Sequence, residues 1–162
     1  MMCTSKMAAN VPTLLFVLCL APFATASPAT PDEIGALIAN SDFTAAESKA
    51  RELLADVEAT HGPDSLDAAH VLDLLVEALW RGGHASGPDT LDLARRAVAI
   101  KEEERGPWDA EVAVSLRNLG TVLEYSGDPE SAQRVYERAI NIVLKTRKTD
   151  SVQLAIAYID LA

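Results

Sequence analysis

RNLGTVLEYSGDPESAQRVYERAINI, Arg117 to Ile142, sets small and large residues at fixed offsets. Gly120, Ala132 and Ala139 are small where two packed helices would ordinarily carry bulk, while Leu119, Leu123, Tyr136 and Ile140 are large. Extended backwards, the stretch has apolar residues at 112, 116, 119 and 123, one stripe at helical spacing; 132, 135, 136, 139, 140 and 143 form a second. Between the stripes Gly127 offers a left-handed helix end, and Asp128 can cap the next helix with Pro129 in its first turn. The pattern predicts a helix, a short turn and a helix. Two such helices approach closely only where some facing positions lack bulk. Gly120 and Ala132 provide that room, and Tyr136 and Leu123 fill what remains. Ala139 is left to lie against a following unit, so one hairpin cannot bury its own apolar surface and must stack.

The same unit recurs. His61–Gly83 falls on Arg105–Gly127 at an offset of 44, pairing Gly62-Pro63 with Gly106-Pro107, Leu75 with Leu119 and Leu79 with Leu123. Thr90–Ile100 falls on Ala132–Ile142 at an offset of 42, and the difference fits in the turn HASGPD, His84–Asp89, where insertion costs little. RKTDSVQLAIAYIDLA, Arg147–Ala162, matches the start of the central unit, and SDFTAAESKARELL, from Ser41, resembles a second half-unit. The expected organisation is a weak unit at 31–60, full units at 61–104 and 105–146, and the first helix of an incomplete unit at 147–162. Strand alternation is nowhere sustained, so the fold class is all-α, an alpha-alpha superhelix of stacked helix pairs. Asp64 is the expected cap of the helix containing Asp67, and Thr30-Pro31-Asp32-Glu33 resembles a capping box.

Leu119, Gly120, Leu123, Gly127, Ala132, Tyr136 and Ala139 together resemble the tetratricopeptide repeat, and the 42-residue period with its GPDSLDAA and GPWDAEVA segments is similar to the variant in kinesin light chains. Val76, Thr90 and Ala94 depart from the family pattern, and their unit is expected to sit more loosely against its neighbours. The resemblance implies a right-handed superhelix whose first helices line a concave groove for an extended or helical peptide. In the family, asparagines before the Leu-Gly pair bond the peptide backbone. The matching positions are Arg117 and Asn118, Asp73 and Leu74, and Asp160; Thr121, Glu124 and Tyr125 follow one turn on. Only Asn118 keeps the family's asparagine, and the alternative for it is an ordinary solvated helix residue.

The first residues read differently. MMCTSKMAAN carries one cation, Lys6, and no acid; TLLFVLCLAPFA is a short apolar core; Ala24–Ala26 are followed by Ser27. That order is a secretory signal peptide, residues 1–26, cleaved after Ala26, and the expected location is periplasmic or extracellular. An uncleaved membrane anchor is the alternative. Both cysteines, Cys3 and Cys19, lie in this segment, so the mature chain from Ser27 has no thiol and forms no disulfide. Loss of Lys6 takes the formal charge from -10 to -11. Such acidity argues against nucleic acid and anionic lipid, both of which attract Lys and Arg patches.

No chemistry announces itself. His61, His70 and His84 fall in different elements without metal-ligand spacing, no nucleophile-elbow or phosphate-loop context occurs, and neither a cofactor nor catalysis is expected. Asp67 and His70, one turn apart, read as a surface ion pair, KEEERG (Lys101–Gly106) as a solvated helix end, and Trp80 and Trp108 as packing at unit junctions, with groove or loop anchors the alternative. The expected function is protein-protein interaction. The final helix, with Leu154, Ile156, Ile159 and Leu161, lacks a partner, which leads to two further expectations: end-to-end self-association, or continuation into a larger protease-like or kinase protein whose repeats recruit substrate. N-terminal sequencing of the native protein is expected to begin at Ser27; a soluble chain still beginning at Met1 would remove the export assignment.

Overall fold

The computed structural model describes residues 29–146, a span of helices joined by short turns, with no strand among the described residues. In order the elements are α1 (Pro31–Ala39), α2 (Phe43–His61), α3 (Leu66–Arg81), α4 (Thr90–Arg105), α5 (Ala110–Tyr125) and α6 (Pro129–Thr146). Each helix packs on the next, and the first helices of successive pairs also touch, α1 on α3 and α3 on α5. This is the successive packing of a tetratricopeptide-like alpha superhelix. The expected signal peptide and the helix at 147–162, with Asp160 and the proposed self-association surface, lie outside the described residues.

Helix ends follow local chemistry. Thr30 caps α1 by accepting from the Glu33 N–H at 3.2 Å. Ser65, rather than Asp64, caps α3: its hydroxyl accepts from Ala68 N–H at 3.2 Å and donates to Gly62 C=O at 2.9 Å, so it closes the turn as well as the helix. Asp128 accepts from Ser131 N–H at 3.0 Å at the head of α6. Hydrogen bonds from the Ser131 hydroxyl and then its amide hold the Asp128 carboxyl below its ordinary range, so the cap is intact above that range and lost as pH falls through the lowered value. Gly83 and Gly127, with φ of 85° and 83°, end α3 and α5 in the left-handed region that disfavours a side chain. The residues after them close matching turns, His84 N–H to Leu79 C=O at 2.8 Å and Asp128 N–H to Leu123 C=O at 3.0 Å.

Two apolar clusters fill the interior. Ile34, Ala46, Ala50, Leu72, Leu75, Leu79 and Ile100 belong to the first; Val76, Val98, Leu116, Leu119, Val122, Tyr136 and Ile142 belong to the second. Leu93 packs against both and joins them. In the unit expected to be loose, Val76, Thr90 and Ala94 are all buried, and the Thr90 hydroxyl donates to His84 C=O at 3.0 Å.

The close approach read from Gly120 is real and specific. A Cβ built there would lie 2.7 Å from Cδ1 and 2.8 Å from Cζ of Tyr136, so the ring occupies the volume that any side chain would need. Alanine gains roughly 1 kcal/mol over glycine in an open helix interior. Overpacking costs about 1–3 kcal/mol, and here it wins because the obstacle is a buried ring. Gly120→Ala is therefore expected to lower the thermal midpoint, and Gly120→Leu to lower it further; an unchanged midpoint for the leucine variant would contradict this packing.

Candidate functional site

Side chains spaced one turn apart on α5, Arg117, Thr121, Glu124 and Tyr125, share one wall of a cleft of about 630 Å³. Trp80 and Arg81, at the end of α3, form the facing wall, and Tyr136 of α6 closes the floor. The floor is ordered by hydrogen bonds: Tyr136 Oη donates to Thr121 Oγ1 at 3.1 Å and lies 3.4 Å from Glu124 Oε2, while Thr121 donates to Arg117 C=O at 3.1 Å. Across the cleft the Arg81 guanidinium sits 4.7 Å from the Trp80 ring centroid and bonds Glu77 Oε1 at 2.8 Å. Trp80 Nε1 is buried without a hydrogen-bond partner among the described residues. Tyr125 is 62% exposed, and the preceding turn steadies its backbone through Ser86 Oγ, which donates to Tyr125 C=O at 3.0 Å.

Of the residues expected in a groove, Arg117, Thr121, Glu124 and Tyr125 are brought together. Asp73 and Asn118 are not in this cleft. Asn118 is 1% exposed and donates through Nδ2 to Asp73 C=O and Oδ1, both at 3.3 Å; neither the solvated position nor the free amide expected of it is observed. The reason is that α3 and α5 pack face to face, so the Asp73 turn is spent on the next repeat before any partner arrives.

Around Asp73 lies a polar cluster that the sequence reading missed. Lys101 Nζ lies 2.6 Å from Asp73 Oδ2, and Ser115 Oγ donates to the same oxygen at 2.7 Å. Lys101 also reaches Glu111, at 3.4 Å from both its C=O and Oε2. Lys101 is 1% exposed, which corrects the expectation of a solvated KEEERG end at that residue, while Glu103, Glu104 and Arg105 are exposed as expected. A signal was present: Ala94, Ala97 and Val98 form the buried stripe of α4, and Lys101 is its next position. Glu102, by contrast, pairs with Arg138 at the surface of α6. Arg81 was also missed, although it matches Tyr125 at the repeat offset of 44.

The histidines remain apart, each facing a carboxylate of another helix. His61 lies 2.6 Å from Asp67, His70 3.5 Å from Glu111, and His84 3.3 Å from Glu47. The expected Asp67–His70 pair is thus replaced by two inter-element pairs, since the turn at Gly62 brings His61 back over the start of α3. Trp108, expected at a packed junction, is 50% exposed, with Lys145 Nζ 3.3 Å from its ring centroid. Among the described residues no cluster of three or more His, Cys, Asp or Glu could hold a metal, and no helix is long and apolar enough to cross a membrane.

Compared with known families, residues 88–145, from the turn before α4 nearly to the end of α6, match a family model described as Tetratricopeptide repeat. No curated protein matches the chain. Removing the Lys101 charge while Asp73 stays buried is expected to be costly: Lys101→Met should lose about 3–5 kcal/mol in denaturant unfolding. Arg138→Met, which breaks a partly exposed pair, should lose less than about 1 kcal/mol.

Proposed function

We propose, for a chain that carries tetratricopeptide repeats over residues 88–145, that it is an exported scaffold whose concave cleft receives an extended or helical segment of a partner protein. Repeats of this family are protein-protein interaction scaffolds, typically without catalytic activity of their own. The 42-residue spacing is consistent with the kinesin-light-chain-like variant. One observation carries the assignment to the cleft: Arg117, on its wall, makes no ion pair or side-chain hydrogen bond among the described residues, whereas Arg81, Arg96 and Arg138 each have a carboxylate. Its guanidinium is available to a carbonyl or carboxylate of the partner. Beside it, Tyr125 and Trp80 supply the rigid aromatic area on which binding energy concentrates. The order of the first residues, a cation, an apolar core and small residues up to Ala26, supports action outside the cytoplasm.

A photo-reactive amino acid in place of Tyr125 would trap the partner, whose affinity is then measured by calorimetry against wild type and against Arg117→Glu/Tyr125→Ala. A loss of about tenfold or more is expected for the double variant. Full affinity, with the helical spectrum intact, would place the docking surface elsewhere.

A further inference from the structure

The polar cluster has a counterpart one repeat earlier, and the counterpart is apolar. Helices α3 and α5 start 44 residues apart, at Leu66 and Ala110, and α2 and α4 end 44 residues apart, at His61 and Arg105. The glycines that follow have matching backbones, Gly62 with φ 93° and ψ 154°, Gly106 with φ 87° and ψ 156°. In that register Lys101, Ser115 and Asn118 correspond to Val57, Val71 and Leu74, while α1 and α3 end 42 residues apart, at Ala39 and Arg81, which sets Asp73 over Pro31 at the start of α1. Val71 is buried, Val57 and Leu74 pack half-buried against the first core cluster, and Pro31 is exposed, with no polar side chain to gather. One junction of the chain therefore packs hydrocarbon at the three positions where the next places Lys101, Ser115 and Asn118 around a carboxylate.

Stacking alone does not require the polar set. Burying an ammonium and a carboxylate costs desolvation that their attraction barely offsets, and apolar replacement of such pairs is often neutral or stabilising. What the polar set adds is direction. Asp73 of α3 receives Lys101 from α4 at 2.6 Å, Ser115 from α5 at 2.7 Å and Asn118 from α5 at 3.3 Å, and these contacts hold together at only one rotation and one height of α5. Apolar surfaces tolerate sliding; hydrogen bonds to one buried carboxylate do not. Arg117 and Thr121 flank Asn118 on the cleft wall of α5, and Trp80 and Arg81 lie two turns beyond Asp73 on α3, so both walls are tied to this point. A shift of one residue along α5 would turn Arg117 by about 100° out of the cleft.

We propose that Asp73, Lys101, Ser115 and Asn118 are positioning residues that lock the orientation of the 105–146 unit on the 61–104 unit and so set the separation of the two cleft walls, a role that rests on the cleft being the docking surface. The test transplants the preceding junction at three positions, Lys101→Val, Ser115→Val and Asn118→Leu, and removes the carboxylate they surrounded with Asp73→Ala, in the full chain. Cys3 and Cys19 are replaced by serine, and spin labels are placed at the exposed positions Ala99 on α4 and Arg134 on α6. The expected result is a folded protein with a thermal midpoint at or above that of the parent, but with an Ala99–Arg134 distance distribution that is broadened or displaced. A distribution as narrow as the parent's and centred where it was would overturn the proposal. Should the transplant not fold, Ser115→Ala/Asn118→Ala keeps the ion pair and removes two directional contacts; broadening there supports the lock, and an unchanged distribution again overturns it. The distances are read without a partner. A lock that holds while Arg117→Glu/Tyr125→Ala binds normally would sink only the docking assignment.

Discussion

A helix pair in this chain has more apolar surface than its two helices can cover, and the architecture follows from that shortage. Helices α3 and α5 bury residues around most of their circumference, from Ala68 to Leu79 and from Val112 to Leu123, because neighbours on several sides press on them. The outer helices α2 and α6 bury a single stripe each. Burial of this kind is roughly proportional to area and indifferent to direction. It explains why the pairs stack, and it leaves open at which rotation they do so.

Direction comes from two devices of different chemistry. At Gly120 the Tyr136 ring enters a space that exists only because the side chain is missing, a steric key within one hairpin. Between hairpins the contact is polar: one carboxylate gathers groups from two helices, the arrangement proposed above as a lock. The preceding junction has hydrocarbon, Val57, Val71 and Leu74, at three of the same positions. Charge in the interior of a repeat protein is thus read better as specification than as glue.

The cleft inherits its shape from both devices. Tyr136, held against Gly120, carries the hydroxyl that organises Thr121 and Glu124, and Asn118, held by Asp73, orients the turn that presents Arg117. Groups that hold the scaffold and groups that line the cleft therefore alternate along one helix. Such alternation lets a rigid surface carry a half-buried guanidinium with no ion pair among the described residues, and an exposed tyrosine, without loosening the core beneath them.

Helix content, repeat spacing and the close approach at Gly120 were determined by the sequence alone, since they rest on periodicity and on a residue that lacks a side chain. Half of the candidate site was legible for the same reason: Arg117, Thr121, Glu124 and Tyr125 share a face of one helix by spacing alone. Lys101, Asp73 and Asn118 were not placed correctly, because lysine, aspartate and asparagine on a helix look solvent-directed until a second helix covers them. Arg81 and Trp80 joined the cleft only when α3 was laid beside α5. Local pattern records which face of a helix is apolar, but whether a polar residue meets water or a buried carboxylate is decided by what the rest of the chain brings against it.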